Sequence, residues 1–404
     1  MRLTPTAIDP ISINKDSLED FLDFAPFSKY RLSTSREGTL GEFLKPYWEA
    51  KGADISRLRE RQFFLNKNFD SQIRLQDATV YSLHGATLIP KLNHVLLSDN
   101  QTIMERFGSS ADFLHNMEIY GSYFGYSKNT NRFEINLLNP HFSVFSTQSV
   151  DFNDDSCTPI LLSNDDNDKC YTHWVMMKIL EIFTLTPLIQ QLKDPLLVFS
   201  YTPTPWQIQS IAYFFPFLRM RYLVANTVTR FRKLLFVKSP PEHWYHGEFL
   251  KFLYQSAKET SPAYSPRRFF ISRNDAFGRR LVNHEDATEI LHRFNFTVVE
   301  LSRLNFADQA ELFGAASSIV FTSGSSGMNL ALSSPGTSVG LITNLEQPDV
   351  WSQCCHSFGI SNVIHFGATP LDRANPNSDL SLDLHSFENF IISVVQNENM
   401  VTQR

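Results

Sequence analysis

The chain has 404 residues, which is long enough for two domains of ordinary size. Hydrophobic residues make up 42% of it and charged residues 19%, a balance that is typical of globular proteins and excludes a disordered chain. The formal net charge of −6 excludes the globally basic surface of most nucleic-acid-binding proteins, so no nucleic acid is expected as a partner.

Targeting signals and cysteine usage bear on the compartment. Residues 1–20 contain no apolar stretch of the signal-peptide kind, and no run of about 18 apolar residues predicts a transmembrane span. None of the four cysteines forms a C-x-x-C motif, and the adjacent Cys354 and Cys355 suit a structural disulfide poorly. We therefore expect reduced thiols and a cytoplasmic protein, with peripheral association at the inner face of the plasma membrane left open.

The N-terminal half shows two different patterns. Residues 1–75 carry two short helix patterns and no recognisable chemistry, so we predict an N-terminal extension that packs on the first domain. Residues 76–260 alternate short strands with helices, which predicts a Rossmann-like domain. Its clearest elements are strands at 157–163, 195–200, 222–225 and 234–238 and helices at 171–192 and 205–218.

An acidic run follows the first of these strands. Asp166-Asn167-Asp168 is formally a D-x-D motif, and carboxylates with this spacing can hold a hard cation. The same residues are also turn formers ahead of a helix, where acids are expected without any metal. We therefore predict no metal and no cofactor.

A histidine opens the helix that comes next, in the run Tyr171-Thr172-His173-Trp174. At the start of a helix that faces an interdomain cleft, His173 could act as a general base, because an imidazole side chain can take up a proton near neutral pH. The alternative is a packed, hydrogen-bonded histidine beside a tryptophan.

Residues 261–370 predict a second Rossmann-like domain. Apolar and β-branched runs at 269–271, 297–301 and 318–322 read as strands, and helix patterns with caps at Asn283 and Asn305 lie between them. Short β-α-β-α-β connections imply a parallel sheet, whose strands end at the edge where ligands bind. Residues 371–404 predict a tail helix that packs back on the first domain.

Two polar loops are expected at that edge. The first carries Arg273, Arg279 and Arg280, and the second runs from Ser323 to Gly327. Guanidinium groups suit phosphate oxygens, and a Gly/Ser loop that enters a helix offers backbone N–H groups, so together they predict a pyrophosphate site. Alternatively, the arginines are merely solvated and the second loop is a flexible turn.

These residues carry a resemblance to a known family. The runs Ile271 to Ala276, Arg279 to Glu285 and Gly324 to Asn329 resemble the signature of glycosyltransferase family 61, and Tyr-x-His-Trp at 171–174 resembles its N-terminal signature. The family usually has His-Gly-Ala-Gly where this chain has Ser323-Gly324-Ser325-Ser326, so its histidine position is Ser323 here.

The resemblance implies a GT-B-like fold, with two Rossmann-like domains facing a cleft, and inverting transfer from a nucleotide-sugar donor to a glycan or glycolipid acceptor. We expect this transfer to be metal-independent, because the arginines would take the role of a cation. It implies a role in surface polysaccharide biosynthesis of the capsule type, with His173 as the catalytic base. The residues implied in donor binding are Arg273, Arg279, Arg280, Asn283, Glu285, Gln309, Ser323, Gly324, Ser325, Ser326, Gly327 and Asn329.

Two other functions stay open from the sequence. Replacement of the family histidine by Ser323 motivates a non-catalytic relative that binds a nucleotide sugar or a glycan. A Rossmann-type enzyme without sugar chemistry is disfavoured, because the chain has neither G-x-G-x-x-G nor a P-loop lysine motif.

Overall fold

A computed structural model provides the fold. Its contacts divide the chain into two compact units, an N-terminal unit (residues 1–36 and 75–243) and a C-terminal unit (37–74 and 244–404). The structure describes residues 2–3, 27–31, 36–61, 63, 67–75, 79–89, 94–96, 124–127, 132–135, 150–163, 170–192, 194–219, 221–227, 229–238, 246–258, 267–344, 350–375 and 377–402.

The strands are numbered in chain order. They are β1 (Arg2–Leu3), β2 (Phe27–Arg31), β3 (Arg36–Thr39), β4 (Gln72–Leu75), β5 (Thr79–Ile89), β6 (His94–Leu96), β7 (Phe124–Ser127), β8 (Arg132–Ile135), β9 (Val150–Phe152), β10 (Thr158–Ser163), β11 (Pro195–Phe199), β12 (Tyr222–Val224), β13 (Thr229–Lys238), β14 (Arg268–Ile271), β15 (Thr297–Val299), β16 (Ser318–Thr322), β17 (Ser338–Asn344), β18 (Val363–Pro370) and β19 (Leu380–Ser381).

The α-helices are α1 (Leu40–Lys51), α2 (Ile55–Arg59), α3 (Tyr171–His173), α4 (Leu180–Ile189), α5 (Pro205–Phe214), α6 (Gly247–Lys258), α7 (His284–Arg293), α8 (Phe306–Ala315), α9 (Val350–Ser357) and α10 (Leu384–Thr402). A π-helical segment, Trp174–Ile179, joins α3 to α4. The segments Leu301–Arg303 and Ser325–Leu332 are 3-10 helices.

The main sheet of the N-terminal unit has the strand order β12-β11-β10-β13-β5-β2. Strands β10 to β13 run parallel to their neighbours within this group, and β5 pairs antiparallel with both β13 and β2. The chain steps outward from β10 to β12 and then returns to the other side of β10 for β13, so the order reverses between β10 and β13. In open parallel sheets such a reversal is where ligands bind.

The sheet of the C-terminal unit has the order β15-β14-β16-β17-β18-β19. It is parallel from β15 to β18, and β19 is antiparallel. Helix α7 connects β14 to β15, and α8 leads into β16, so the predicted mixed α/β architecture with parallel strands is confirmed. The order reverses between β14 and β16, which makes that edge the expected ligand position of this sheet.

Helix α10 packs on the C-terminal sheet, which corrects the prediction that it packs on the first domain. Phe387, Phe390, Ile391 and Val394 are buried in one core with apolar side chains of β16, β17 and β18. Four apolar positions at helical spacing need a large apolar surface, and this sheet provides it.

Residues 37–74 do not form part of an N-terminal extension on the first domain, because they belong to the C-terminal unit. Helix α1 packs against α6, and its Tyr47 and Trp48 are fully buried. Tyr47 Oη donates to the Ala331 carbonyl (2.8 Å) and Trp48 Nε1 to the Ser357 carbonyl (3.0 Å). The two hydrogen bonds satisfy the polar ends of aromatic rings that could not otherwise be buried without cost.

Of the residues that the structure describes, none belongs to a helix with the length and apolar character that crossing a bilayer requires. All four cysteines are free thiols.

Candidate functional site

The site lies at the edge of the C-terminal sheet where β14 and β16 end side by side. The two strands pair in register, with Ile271 opposite Phe321, so the loops that follow them are neighbours. The Arg273 guanidinium lies against Gly324, so closely that a Cβ atom added at Gly324 would overlap its Nη1 atom. The structure thus brings together the arginine loop and the Ser/Gly loop, as the sequence predicted.

Arg273 closes its own loop into a ring. Its Nε and Nη2 atoms donate to the Gly278 carbonyl (3.2 and 3.1 Å), and the Ala276 N–H donates to the Arg273 carbonyl (2.9 Å). We call residues 273–278, held in this way, the clasped loop. A side chain at position 324 would displace the Arg273 guanidinium from this place.

The charge of Arg273 is poorly compensated. Burial lowers the pKa of Arg273 to about 10; the nearby positive charge of Arg279 adds to this and Asp275 opposes it. Within the described part of the chain, no ion pair links Arg273 to a carboxylate. A half-buried guanidinium beside a second cation is stabilised by an anion, which is what a phosphate would supply.

Arg279 and Arg280 are held by a second loop, of which the structure describes residues 371–375 and 377–379. Arg279 adopts a left-handed conformation (φ 58°), and its N–H donates to the Asn377 carbonyl (3.1 Å). The Arg280 guanidinium binds Asp379 in two places (2.7 Å from Nη2 and 3.1 Å from Nε to Oδ2), and its N–H donates to the same carboxylate. The Arg280 hydrogen bonds hold the pKa of Asp379 below its ordinary value. The charge of Arg280 is therefore already compensated, unlike that of Arg273.

The Ser/Gly loop enters the 3-10 helix Ser325–Leu332. The Ser323 N–H donates to the Ile342 carbonyl (2.9 Å) and the Gly327 N–H to the Gly324 carbonyl (2.9 Å). Gly327 lies against the Trp351 ring, with no room for a side chain. The Ser326 hydroxyl is buried and finds no hydrogen-bond partner among the described residues. The loop therefore contains the start of a 3-10 helix and one buried hydroxyl without a hydrogen-bond partner among the described residues.

Two predicted donor contacts, Gln309 and Asn329, are internal. Gln309 Nε2 donates to the carbonyls of Leu301 (3.0 Å) and Leu304 (3.2 Å), and its Oε1 accepts from Asn329 Nδ2 (3.0 Å). Both side chains are buried. The hydrogen bond between the two side chains joins helix α8 to the 3-10 helix Ser325–Leu332. These contacts position the Ser/Gly loop.

Asn283 and Glu285 lie at the start of α7 and differ in environment. Asn283 Nδ2 donates to the Leu382 carbonyl (2.8 Å), and its Oδ1 accepts from the Leu382 N–H (3.1 Å), so the side chain clamps a distant segment and does not cap its own helix. Glu285 is exposed in the first turn.

His284, between them, is a candidate that the sequence reasoning passed over. Its Nε2 lies 3.1 Å from the Ser272 hydroxyl and its Nδ1 3.4 Å from the Thr288 hydroxyl. The Ser272 hydroxyl also accepts from the Asn274 N–H (3.2 Å), inside the clasped loop. Burial lowers the pKa of His284, against the opposing charges of Glu300 and Glu285. The sequence feature that could have indicated His284 is its place at the first position of the helix that follows the arginines.

His173 belongs to the N-terminal unit and is exposed at the end of α3. Its neighbours Thr172 and Trp174 are buried, and Trp174 Nε1 donates to the Ser210 hydroxyl (2.8 Å). His173 lies in the connection between β10 and β11, because α3 follows β10. The strand order of the N-terminal sheet reverses beside β10. The acidic run at 165–168 lies outside the described residues. Among the described side chains, no three His, Cys, Asp or Glu gather as a metal site would require.

A family model described as Glycosyltransferase 61 matches residues 133–340. The match covers half of the chain and includes His173, the clasped loop and the Ser/Gly loop. No curated protein matches the chain.

Proposed function

The chain belongs to glycosyltransferase family 61, and from that premise we propose an inverting, metal-independent transfer of a sugar from a nucleotide-sugar donor to a hydroxyl of a glycan or glycolipid acceptor. Family membership implies glycosyltransferase activity; the donor, the stereochemistry and the acceptor are our proposal. A role in surface polysaccharide synthesis, a cytoplasmic location with or without peripheral membrane association, and a GT-B-like organisation of the two Rossmann-like units belong to it as well.

One observation carries the donor site: the half-buried Arg273, without an ion pair to a described carboxylate, lies on Gly324 at the order reversal of the C-terminal sheet. The donor's leaving group is a nucleoside diphosphate that gains negative charge as the glycosidic bond breaks. A guanidinium and backbone N–H groups fixed in place before the reaction stabilise that charge without reorganising. The arginine would thereby supply the charge that a metal ion supplies in other transferases.

The other predicted donor residues take different parts in this proposal. Arg279 adds a second positive charge near Arg273. Gln309 and Asn329 fix the Ser/Gly loop, while Asn283 and Arg280 fix the segment after the clasped loop through Leu382 and Asp379. Glu285, exposed in the first turn of α7, is left to contact the ribose or the sugar.

His173 is the proposed general base, because it is exposed while its neighbours are buried. Its imidazole would take the proton of the acceptor hydroxyl as that oxygen attacks the anomeric carbon. The glycosidic bond electrons would leave with the nucleoside diphosphate, and attack from the opposite face inverts the configuration. The alternative, a non-catalytic relative, is favoured by one observation, Ser323 at the position of the family's histidine.

A thermal-shift titration with nucleoside diphosphates and nucleotide sugars, with magnesium and with EDTA, tests the donor site. A ligand that binds only the native state raises the melting temperature, and the stabilisation grows with the logarithm of one plus the ratio of its concentration to Kd. We expect a shift with one nucleoside diphosphate that EDTA leaves unchanged and Arg273→Ala removes. A shift that needs magnesium would contradict metal independence.

The same ligand then serves in a transfer assay. Donor turnover that is lost in His173→Ala supports the transferase with His173 as its base. Binding without turnover across a panel of acceptors would favour the non-catalytic relative.

A further inference from the structure

The clasped loop presents an aromatic ring to solvent. Phe277 has a relative exposure of 105%, so none of the residues that the structure describes covers its side chain. Phe277 belongs to the clasped loop, which Arg273 closes by donating hydrogen bonds to the Gly278 carbonyl. A phenylalanine left fully in water at the tip of a loop has no role in stabilising the fold.

The loop that carries Phe277 is braced on both sides. Gly278 touches the Asn377 carbonyl so closely that a Cβ atom would overlap it, and the Arg279 N–H donates to the same oxygen. On the other side, the Ala276 N–H binds the Arg273 carbonyl (2.9 Å). The ring of Phe277 is therefore held out by a fixed backbone, as a binding platform must be.

The Arg273 guanidinium connects the exposed Phe277 to the proposed diphosphate site. Arg273 closes the loop that displays Phe277, and it also lies on Gly324 at the proposed diphosphate position. A nucleoside diphosphate has the matching chemistry, since it joins an anionic diphosphate to a flat, polarisable base. We propose that Phe277 is the face on which the nucleobase of the donor stacks, an inference that rests on the proposed function above. Because every base has a flat face, this contact adds affinity without selecting one base.

Another occupant of this surface is a lipid bilayer. Leu371 (65% exposed), at the start of the second loop, and Val282 (52%), just after the arginines, are also exposed. The Leu371 N–H donates to the Asp379 carbonyl and the Val282 N–H to the Leu380 carbonyl. The nucleobase is favoured because Phe277, and neither of the other two, is part of the loop that Arg273 closes.

The experiment compares a ligand with a base to one without. Isothermal titration measures binding of uridine, guanosine and adenosine diphosphates and of inorganic pyrophosphate to the full chain and to its Phe277→Ala, Phe277→Tyr and Leu371→Ala variants. Stacking on an aromatic ring accounts for about 5-fold to 150-fold in affinity. We expect Phe277→Ala to weaken binding of the preferred nucleoside diphosphate by that factor, with the affinity for pyrophosphate changed less than twofold. Phe277→Tyr and Leu371→Ala should bind the nucleotide like the parent chain.

The other possible results of this titration contradict the stacking role of Phe277, the donor site, or both. Equal losses for nucleotide and pyrophosphate, or no loss for either, would overturn the stacking role and leave the diphosphate site intact. Parent protein that binds neither ligand would overturn the donor site and the stacking role together. Unchanged nucleotide affinity, with co-sedimentation on phosphatidylglycerol vesicles lost in both Phe277→Ala and Leu371→Ala, would assign the surface to a membrane.

Discussion

Each of the two units has a buried or half-buried cation in the connection that follows a parallel strand at the order reversal of its sheet. The two cations differ in whether a carboxylate inside the chain compensates their charge. Lys178, in the π-helical segment that follows β10, is buried and lies 3.1 Å from the equally buried Glu181. Arg273, directly after β14, has no carboxylate partner within the described residues and has a lowered pKa. A buried charge that is compensated inside the chain belongs to the fold. One that is left uncompensated at a ligand edge is available for an anion from outside.

The largest effect is expected from breaking the buried ion pair between Lys178 and Glu181. Lys178→Met leaves the Glu181 carboxylate buried without its cation, which we expect to destabilise the N-terminal unit by about 3–5 kcal/mol in urea denaturation. Lys178→Met combined with Glu181→Leu should recover most of the loss, because it removes both charges. A double variant no more stable than the single one would show that the pair is not what holds the two side chains there.

The next prediction separates two arginines of the C-terminal unit. Arg273→Ala should lower the transfer rate by about 100-fold to 1000-fold, the usual cost of losing one fixed group that stabilises charge in the transition state. Arg280→Ala, which removes a guanidinium already bound to Asp379, should lower it only a few fold. Equal losses in kcat/KM from the two variants would contradict the distinction between compensated and uncompensated charge.

A smaller effect is expected from the glycine beneath Arg273. Gly324→Ala adds a Cβ atom where the guanidinium lies, so Arg273 must move and nucleoside diphosphate binding should weaken by about tenfold, which corresponds to about 1.4 kcal/mol. Gly314→Ala is a matched control, because Gly314 lies in α8 with no atom near its missing Cβ, and alanine there should stabilise the helix by about 0.5–1 kcal/mol. Titration calorimetry and thermal melting measure both. Unchanged binding in Gly324→Ala would mean that the close approach has no role in the site.

The smallest effect concerns His284. Burial lowers its pKa below the ordinary value of 6.5, so the unfolded chain binds this proton more readily than the native one. The stability contributed by neutral His284 is therefore complete above pH 6.5 and is lost as the pH falls from 6.5 through the lowered folded value.

His284→Gln should melt at a temperature that falls less than that of the parent between about pH 7 and pH 5.5. The exposed His292, in the same helix, provides the control variant His292→Gln, whose melting should follow the parent. Identical pH profiles for the parent and His284→Gln would show that this histidine does not distinguish the folded state.

Much of the C-terminal sheet could be predicted from the sequence because its signals are local. Asn305 accepts from the Asp308 N–H (2.9 Å) and starts α8 where the pattern placed it, since a cap is decided within three residues. The parallel direction of its strands followed from short β-α-β connections, which leave few ways to cross over. The family resemblance rested on contiguous runs of the same region, and the family match confirms it.

The candidate site was predictable in its residues and only partly in their roles. Arg273 and Gly324 were predicted to share an edge, and they touch. Gln309 and Asn329 carry the same signature, yet their amides bond to each other in the interior. Neither a motif nor its spacing indicates which side of a loop an amide faces, because that depends on the packing of α8 against the 3-10 helix beyond it.

The sequence by itself therefore determined what is set by neighbours along the chain: the helix starts, the parallel strands, the two loops at one edge and the family. The tertiary structure decided which polar and charged side chains are paired within the fold. Arg280 meets Asp379, Asn283 meets Leu382 and Tyr47 meets Ala331, across 99, 99 and 284 positions of sequence. Such contacts depend on how whole elements pack, and a long-range partner removes a charge or an amide from the site as fully as a substitution would. Arg273 differs from Arg280 in this respect, because Arg280 has a long-range carboxylate partner and Arg273 has none among the described residues.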